Sequence, residues 1–460
     1  MELEVAVKLI EKYVPGNTGF IQKANTAYRY YRKRNDILYA EKEEENGENP
    51  LRNADNRIPS NFYKLLVNQK AAYMFTSPPL FDVGSEESNR VITDALGDSF
   101  RKKCKALCVQ AANCSVGWLH YWKNEQNKFK YAVVDARQIV PIWTRNLEKE
   151  LLAVLRVYTD IDEESGDAYT VYEIWTDKEC SAFRRKQDEE YMCIQEYVRY
   201  TIVDVDTQLV DNTNIYQHDF GEVPFIFFNN NDEMQNDLAD IKQLIDSYDK
   251  VFSGFINDLE DIQELIFILT NYGGEESSSL EILKEMKHSK LLQVDSDGAD
   301  DKSGISTLSI EIPVEARKEF LTITRKAIFE QGMGIDPDPQ NFGNSSGVAL
   351  RYLYSLLELK AGMMETEFAP SFSRLVKAIL RFYGRKADAV KQTWTRTSVN
   401  NDTELADIAS KSQGVISKKT IVRNHPWVEN PEEEIKLLEE EEAQNMPKFD
   451  KVPIEGDDDE

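Results

Sequence analysis

Histidine and cysteine are scarce in this chain of 460 residues, which contains four histidines and five cysteines. The odd number and irregular spacing of the cysteines argue against a disulfide framework and predict a reducing compartment. Cys104 and Cys108 are four residues apart and could share a helix face, but no nearby histidine or second cysteine pair completes a zinc site. We therefore predict buried thiols, no metal site and no cofactor.

Long apolar runs and a signal-peptide pattern are also missing. The runs "ELIFILTNY" and "VPFIFFNNN" are too short to span a bilayer, and the N-terminal segment carries acids among its apolar residues. These features predict a soluble protein in the cytoplasm with no membrane partner. Apolar residues nevertheless make up 41% of the chain, which is enough for a folded core.

Basic residues are outnumbered, with 55 Lys and Arg against 81 Asp and Glu and a formal net charge of −26. A chain of this charge repels phosphate, so a protein that binds nucleic acid tightly and non-specifically is excluded. A surface that DNA slides past remains compatible with the composition.

Motifs that carry catalysis are absent with one apparent exception. There is no phosphate-binding G-x-x-x-x-G-K-[ST], no H-E-x-x-H and no G-x-G-x-x-G after a strand. "GNSSG", from Gly343 to Gly347, fits the G-x-S-x-G pattern of a hydrolase with Ser345 as nucleophile. A nucleophile elbow needs a buried strand before the serine, and prolines at 337 and 339 occupy its place. We therefore predict that Ser345 or Ser346 caps the helix that follows, and that the protein is not an enzyme.

The order of predicted elements indicates an α+β fold. The first hundred residues are helical with breaks, and residues 117–230 form antiparallel strands rich in Trp, Tyr and Val. From Asp237 to Leu269 apolar residues recur at steps of three and four, which predicts one helix of about 33 residues. A small αβ insert follows, with a short helix through Lys287 and strands around "KLLQVDSDG" and "STLSIEI". A second helix then begins at Pro313 and ends at the glycines 332 and 334.

A polar loop, "IDPDPQNFGNSS", precedes a second very long helix from Gly347 to Gly384. Pro370 removes a backbone hydrogen bond within this helix and is expected to kink it. The remaining residues are predicted to be helical and polar, ending in an acidic tail that we expect to be disordered.

Four segments in this order give the chain a family resemblance. The segments are "NRIPSNFYKLLVNQKAAYMFTSPPLFDV", "LADIKQLIDSYDKVFSGFINDLEDIQELIFIL", "SSGVALRYLYSLLELKAGMMETEFAPSFSRLV" and "KKTIVRNHPWVENPEEEIKLLEEEE". With these segments the chain resembles the portal proteins of long non-contractile-tailed bacteriophages of Gram-positive hosts.

The resemblance implies a ring, usually of twelve subunits, at one vertex of the capsid. Double-stranded DNA passes through its channel during packaging and ejection. The implied partners are the terminase large subunit, the head-completion adaptor, and the major capsid and scaffolding proteins, in the virion and in the host cytoplasm during assembly. The implied parts are a wing (1–230), stem helix 1 (231–270), a clip (271–312), stem helix 2 (313–334), a tunnel loop (335–346), a long wing helix (347–384), a crown (385–446) and an acidic tail (447–460).

Two groups of residues are candidates for contact with the DNA. The tunnel loop has no Lys or Arg, so steric contact with Phe342 as the bulky element is the preferred hypothesis over direct phosphate gripping. The loop candidates are Asp336, Asp338, Asn341, Phe342 and Asn344. Asp336 and Asp338 have the further alternatives of binding a cation or forming a turn before proline. The stem candidates are Lys318, Arg325 and Lys326, which either touch phosphates weakly or pair with acids of neighbouring subunits.

Two other function classes stay open at this point. One is a different minor capsid or connector component built from long helices. The other is a serine hydrolase that uses Ser345.

Overall fold

The helices and strands are taken from a computed structural model. It describes residues 1–40, 54–187, 193–203, 207–261, 266–270, 304–308, 313–338, 347–396, 402–423, 425, 428 and 431–445. The chain divides into two compact units, one formed by residues 1–335 with 359–396 and the other by residues 336–358 with 397–460. The helices are α1 (Leu3–Tyr13), α2 (Thr18–Tyr31), α3 (Phe62–Met74), α4 (Glu86–Leu96), α5 (Phe100–Cys114), α6 (Lys242–Asp261), α7 (Val314–Gln331), α8 (Gly347–Phe382), α9 (Asp402–Lys411), α10 (Lys418–Arg423) and α11 (Pro431–Asn445).

Most of the strands lie between residues 116 and 229, where the sequence predicts antiparallel strands. They are β1 (Leu80–Asp82), β2 (Val116–Lys123), β3 (Phe129–Val134), β4 (Ile139–Trp143), β5 (Leu151–Ile161), β6 (Ala168–Trp175), β7 (Glu179–Lys186), β8 (Gln195–Glu196), β9 (Tyr200–Val203), β10 (Val210–Thr213), β11 (Ile215–Gln217), β12 (Phe225–Asn229), β13 (Ile266–Thr270), β14 (Gly304–Leu308) and β15 (Lys391–Thr393). The predicted α+β class is therefore confirmed.

Two larger antiparallel sheets and the short β9–β10 pair form the β-rich part of the first unit. The larger has the order β11-β7-β6-β5-β4 with β8 paired to β7, and the smaller has the order β12-β2-β3. The turn between β5 and β6 shows why the chain reverses there, because Asp162 Oδ1 accepts hydrogen bonds from the backbone N–H groups of Glu164 and Ser165. Gly166 then supplies a φ of +72°, which other residues rarely adopt.

Helix α5 and the C-terminal part of α8 build the main core against the smaller sheet. Aromatic rings dominate this core: the ring centroids of Phe228 and Phe372 lie 5.0 Å apart, and those of Phe228 and Phe368 lie 5.1 Å apart. A second core lies between α1 and the larger sheet, where Ala6 and Ile10 are buried with Leu155 and Ile174. Each sheet is thus covered on one face by a helix, as an antiparallel sheet of mixed polarity requires.

The predicted helix from Asp237 to Leu269 is wrong at both ends, and α6 begins only at Lys242. Helix α6 ends at Asp261, and residues 266–270 form β13, which pairs with β14 in the register Ile266↔Leu308 to Thr270↔Gly304. Four consecutive apolar residues, "IFIL", cannot all lie on one helical stripe, and β-branched and aromatic residues favour a strand. The strand predicted around "STLSIEI" corresponds to β14, while the predicted elements between residues 271 and 303 lie outside the described residues.

Helices α6 and α7 pack against each other as the predicted helix pair. The guanidinium of Arg317 on α7 contacts the carboxylate of Asp258 on α6 and lies 5.6 Å from the centroid of the Phe255 ring. Pro313 stands at the start of α7, and Gly332 stands at its end. The predicted bounds of this helix are therefore confirmed.

The third long helix, α8, continues through Pro370 without a break and ends at Phe382. The bend expected at Pro370 stays a prediction. The expectation that everything after it is helical is wrong for β15, which pairs with β1 in the register Leu80↔Thr393 to Asp82↔Lys391. Gln392 explains the extended conformation, because its Nε2 donates to the backbone oxygen of Ala369 at 2.6 Å and to Ser373 Oγ at 2.8 Å.

Candidate functional site

The basic residues predicted for the stem lie on α7. Lys318 and Lys326 are exposed, and Lys326 Nζ is 3.7 Å from Glu330 Oε1 one turn further along. Arg325 is half-buried, with its guanidinium 6.0 Å from the centroid of the Phe329 ring. Exposed ion pairs of this kind contribute little to stability. Lys318 and Lys326 are therefore available to a partner at small energetic cost.

Apolar side chains also remain exposed on this helix pair. Phe320 and Ile323, three residues apart on α7, are 40% and 58% exposed, and so lie on neighbouring positions of one helix face. Leu259 on α6 is 45% exposed. The opposite side of α7 is covered, with Ile328 and Phe329 buried in a cluster with residues of α3 and α6. One face of the helix pair is thus buried in the core of the chain. On a different face, apolar side chains remain exposed to solvent.

The first residues of the predicted tunnel loop leave α7 along helix α3. The side chain of Gln69 makes two hydrogen bonds to the backbone of Ile335: its Nε2 donates to the oxygen at 2.7 Å, and its Oε1 accepts from the N–H at 3.0 Å. Beyond this point, Asp336 Oδ1 accepts a hydrogen bond from the backbone N–H of Asp338 at 3.3 Å. This contact fits the turn-forming alternative for the two aspartates.

The other predicted loop residues lie outside the described residues. They are Asn341, Phe342 and Asn344, together with the serines at 345 and 346. A serine hydrolase would also require a histidine as its base. Two of the chain's histidines contact backbone oxygens in the β-rich part. His120 Nδ1 is 2.9 Å from the oxygen of Pro224, and His218 Nε2 is 3.1 Å from the oxygen of Thr176. Burial lowers the pKa of His120 to about 4.

A buried ionic cluster, which sequence reasoning missed, lies beside the end of α7. Asp237 Oδ2 is 2.7 Å from Lys70 Nζ on α3 and 3.0 Å from Lys360 Nζ on α8. The side chains of Lys70, Asp237 and Lys360 are only 1%, 5% and 13% exposed. Asn230 completes the cluster, accepting from Lys70 Nζ at 2.8 Å through Oδ1 and donating to Asp237 Oδ1 at 2.7 Å through Nδ2.

The charges of this cluster are coupled. Burial opposes ionisation of Asp237, but the ammonium groups of Lys360 and Lys70 outweigh it, so the pKa of this carboxyl lies below its usual value of 3.8. Burial and the neighbouring Lys70 lower the pKa of Lys360, against the attraction of Asp237. The spacing of Tyr63, Leu66 and Lys70 on α3 places Lys70 on the buried face. Its burial could have been predicted from the sequence, although its partners could not.

A second buried carboxylate organises the larger sheet. Glu173 on β6 is fully buried and accepts hydrogen bonds from the Tyr158 hydroxyl at 2.9 Å and from Trp175 Nε1 at 3.1 Å. The guanidinium groups of Arg156 and Arg199 also contact it. Glu173, Trp175 and the two arginines line a cleft of about 550 Å³ that is walled by aromatic rings. Because Glu173 is satisfied by side chains of its own subunit, we assign the cluster a structural role.

The cysteines match the prediction of buried thiols at four of five positions. Cys104, Cys108, Cys114 and Cys180 are buried and free, and Cys193 is exposed. Burial raises the pKa of Cys108, Cys114 and Cys180 to about 12, which leaves these thiols unreactive at neutral pH. Among the described residues, no group of three or more His, Cys, Asp or Glu side chains is placed to hold a metal ion. No helix within the described ranges combines the length and the apolar character that crossing a membrane requires.

Comparison with known proteins gives matches over nearly the whole chain. Residues 10–448 match the family model described as phage portal protein, SPP1 Gp6-like. A portal protein of Clostridium phage phiCD119 is 44% identical over 456 residues, covering 96% of both chains. The portal protein of Bacillus phage SPP1 is 28% identical over 401 residues, covering 84% of this chain and 76% of the relative. Among solved structures, a chain of the virion of a native gene transfer agent particle is similar with a TM-score of 0.45 and 9% identity, covering 78% of this chain and 88% of that one.

Proposed function

Because the chain belongs to the SPP1 Gp6-like family of phage portal proteins, with a match over residues 10–448, we propose that its copies assemble into a ring around a channel at one vertex of a phage capsid. Double-stranded DNA enters through this channel during packaging and leaves through it during ejection. We place the ring in the finished virion and in the host cytoplasm during assembly. The proposed ring has twelve subunits with closed cyclic symmetry.

The observation that carries this proposal in the structure is the uncovered apolar surface of the α6–α7 pair. Phe320 and Ile323 lie on the face of α7 that its own subunit leaves exposed. Burial of apolar side chains between neighbouring copies stabilises association by roughly 25 cal/mol per Å² of area removed from water. A closed ring of identical helix pairs covers such a face in every subunit, which an isolated copy does not.

Assembly is tested with one charge placed on this face. Purified wild-type protein is expected to give rings with a central hole in negative-stain images and a native mass of twelve chains. Ile323→Asp is expected to yield subunits or small oligomers, because a buried unpaired carboxylate opposes association. Leu147→Asp is the matched control, since Leu147 is an equally aliphatic residue in an exposed turn. Rings that form normally with Ile323→Asp would contradict the assignment of this contact, and the absence of wild-type rings would favour a different helical capsid component.

The net charge of −26 per chain suits a conduit. A surface that repels phosphate on average lets DNA slide, whereas many phosphate contacts would hold it in place. We propose that Lys318, Arg325 and Lys326 touch phosphates weakly as DNA passes. Lys318→Gln is expected to change the DNA packaging rate while the mass of the ring stays unchanged. Lys250→Gln is the control, because Lys250 is an exposed lysine on α6. If the Lys318→Gln ring dissociates at a lower salt concentration than the wild-type ring, the result would instead favour pairing of Lys318 with acids of a neighbouring subunit.

The loop after α7 is proposed to narrow the channel by steric contact, with Phe342 as its bulky element and Asp336, Asp338, Asn341 and Asn344 as its polar members. This proposal rests on the sequence pattern of residues 335–346 and on the family. Packaging and DNA retention are compared for Phe342→Ala and Asp336→Ala against wild type. Loss of retention in Phe342→Ala is the expected result, and unchanged behaviour in both variants contradicts a role for the loop.

The remaining assignments follow the family organisation. We propose that residues 271–312 dock the terminase large subunit and later the head-completion adaptor, and that the body contacts the major capsid and scaffolding proteins. We also propose that the protein has no catalytic activity of its own. Ser345→Ala is expected to leave packaging and ejection unchanged, and a specific loss of a hydrolytic activity in this variant would restore the hydrolase hypothesis.

A further inference from the structure

Helix α3 contacts Ile335 directly and Lys360 through Asp237, and these two residues lie on either side of the segment 336–358. The segment leaves the first unit after Ile335 and returns to it at Leu359. Gln69 binds the backbone of Ile335 at the exit. The neighbouring residue Lys70 binds Asp237, which in turn binds Lys360 at the return. Two consecutive residues of one helix therefore connect to the two ends of the same segment.

The exit end packs closely against α3. A Cβ atom on Gly334 would overlap the Leu66 side chain and lie 2.9 Å from Gln69 Oε1, so a larger residue at this position would force these side chains to move. The two Gln69 hydrogen bonds then satisfy both backbone polar groups of Ile335, a residue that is itself buried. This arrangement imitates a rung of a β-ladder and fixes the direction in which the chain leaves the unit.

The return end is linked directly to the exit end by one side chain. Lys360 Nζ donates to the backbone oxygen of Gly332 at 2.9 Å, three residues before Ile335, while it also contacts Asp237 at 3.0 Å. The Gly332 oxygen lies at the C-terminus of α7, where helix carbonyls lack internal partners and attract a cation. Because the cluster is nearly excluded from water, its charges interact more strongly than those of a surface ion pair.

We propose that Gln69, Lys70, Asp237 and Lys360 form a single anchor, which fixes both ends of segment 336–358 and transmits a displacement of one end to the other. These are positioning residues, and they act on the segment through its ends. The anchor itself does not depend on the proposed function. Only the role of the segment, which is to contact DNA, rests on that function. In a ring, a force on the loop would then displace α3, α7 and α8 of the same subunit together, because the anchor connects them.

The anchor is tested by hydrogen exchange on the full-length protein in whatever oligomeric state it adopts, read out by mass spectrometry. Lys360→Met keeps the aliphatic stem and removes the ammonium group. It is expected to raise the exchange rate of backbone amides in residues 333–338, on the exit side, by about threefold or more. Lys377→Met is the matched control, because Lys377 is exposed on the same helix. Exchange in residues 376–382 serves as the internal reference for intact folding.

The reciprocal variant tests the coupling from the other end. Gln69→Ala is expected to raise exchange in residues 355–362, on the return side, as well as at Ile335. Lys360→Arg retains the charge and is expected to restore most of the protection that Lys360→Met loses. Unchanged exchange at the opposite end in either variant, with the internal reference intact, overturns the single anchor. If Lys360→Met fails to fold, Gln69→Ala alone decides by the same criterion.

The exchange result and the packaging result separate the two proposals. Coupled exchange without rings or packaging would keep the anchor and remove the portal function. Normal rings and packaging with uncoupled exchange would keep the portal function and reject the anchor.

Discussion

Asn35 Nδ2 lies 2.6 Å from Asp249 Oδ2, which joins the chain after α2 to the middle of α6 in the interior of the first unit. The second carboxylate oxygen of Asp249 accepts from the backbone N–H of Ser60 at 2.8 Å. One turn further along α6, Ser253 Oγ accepts from the backbone N–H of Ile58 at 3.0 Å. The chain after α2 and the extended chain before α3 are thus both held to α6, and Asn35 and Ser60 donate to the two oxygens of one carboxylate.

Removal of Asn35 tests this connection. Asn35→Ala leaves the buried Asp249 carboxylate short of one donor, and a buried polar group without its partner costs about 1–3 kcal/mol. We expect a clear drop in melting temperature. Asn25→Ala is the control, since Asn25 is exposed and accepts one hydrogen bond from Arg137. An equal and small change in both variants would show that the Asn35 contact contributes nothing beyond a surface hydrogen bond.

The two buried aspartates predict opposite responses to acid. The folded-state pKa of Asp237 lies below 3.8 because of Lys360 and Lys70, which outweigh the effect of burial, so its contribution to stability is present above that value and is lost as the pH falls. Burial raises the pKa of Asp249, despite hydrogen bonds from Asn35 and Ser60, so the folded state gains relative stability from Asp249 as the pH falls.

Melting temperatures measured from pH 6 down to about pH 3 distinguish the two aspartates. Asp237→Asn is expected to flatten the loss of stability on acidification, while lowering stability at pH 6. Asp249→Asn is expected to steepen the loss, because it removes the compensating group. The same slope in both variants would contradict the opposite pKa directions.

The contact between Gly334 and Leu66 predicts coupling between their substitutions. Gly334→Ala places a methyl group against the buried Leu66 side chain, and such overpacking costs about 1–3 kcal/mol. Leu66→Ala alone costs about 2–5 kcal/mol through the cavity that it leaves. The double variant is expected to be more stable than the sum of the two single effects by at least about 0.5 kcal/mol, because the cavity accommodates the methyl group. Strict additivity in the measured unfolding free energies would contradict this contact.

We expect the stability of the larger sheet to depend strongly on the carboxylate of Glu173. Glu173→Ala leaves the guanidinium groups of Arg156 and Arg199 without their shared partner, and removing one side of a buried ion pair costs about 3–5 kcal/mol. Both arginines are partly exposed, so we expect a cost nearer the lower limit. Glu173→Gln retains the shape and part of the hydrogen bonding and is expected to cost less. Thermal unfolding of the three proteins side by side provides the measurement, and equal stability of Glu173→Ala and wild type would contradict the role of the carboxylate.

The elements that were predicted well are those with local signals. Pro313 and the glycines after Gln331 mark both ends of α7 in the sequence, and alternating apolar residues mark β5 and β6. The end of α6 was missed because steps of three and four continue through "IFIL", while the partner strand that decides the conformation, β14, lies more than thirty residues away.

The buried anchor was missed for a related physical reason. Lys70, Asp237 and Lys360 stand in separate parts of the sequence, and each alone resembles an ordinary charged residue of a polar protein. Only tertiary packing brings both ammonium groups to within 3.0 Å of the Asp237 carboxylate. The sequence therefore predicts the helices that carry Lys70 and Lys360 and the buried position of Lys70, and tertiary packing determines which charges lie beside it.

The pairing of β13 with β14 brings the two ends of residues 271–303 together. Thr270 and Gly304 are directly opposed in the antiparallel ladder, which places their Cα atoms about 4.5–5.5 Å apart. Whatever chain joins them begins and ends at one fixed gap, which a two-residue hairpin turn is able to close. The length and composition of that chain can therefore change without displacing either strand of the pair.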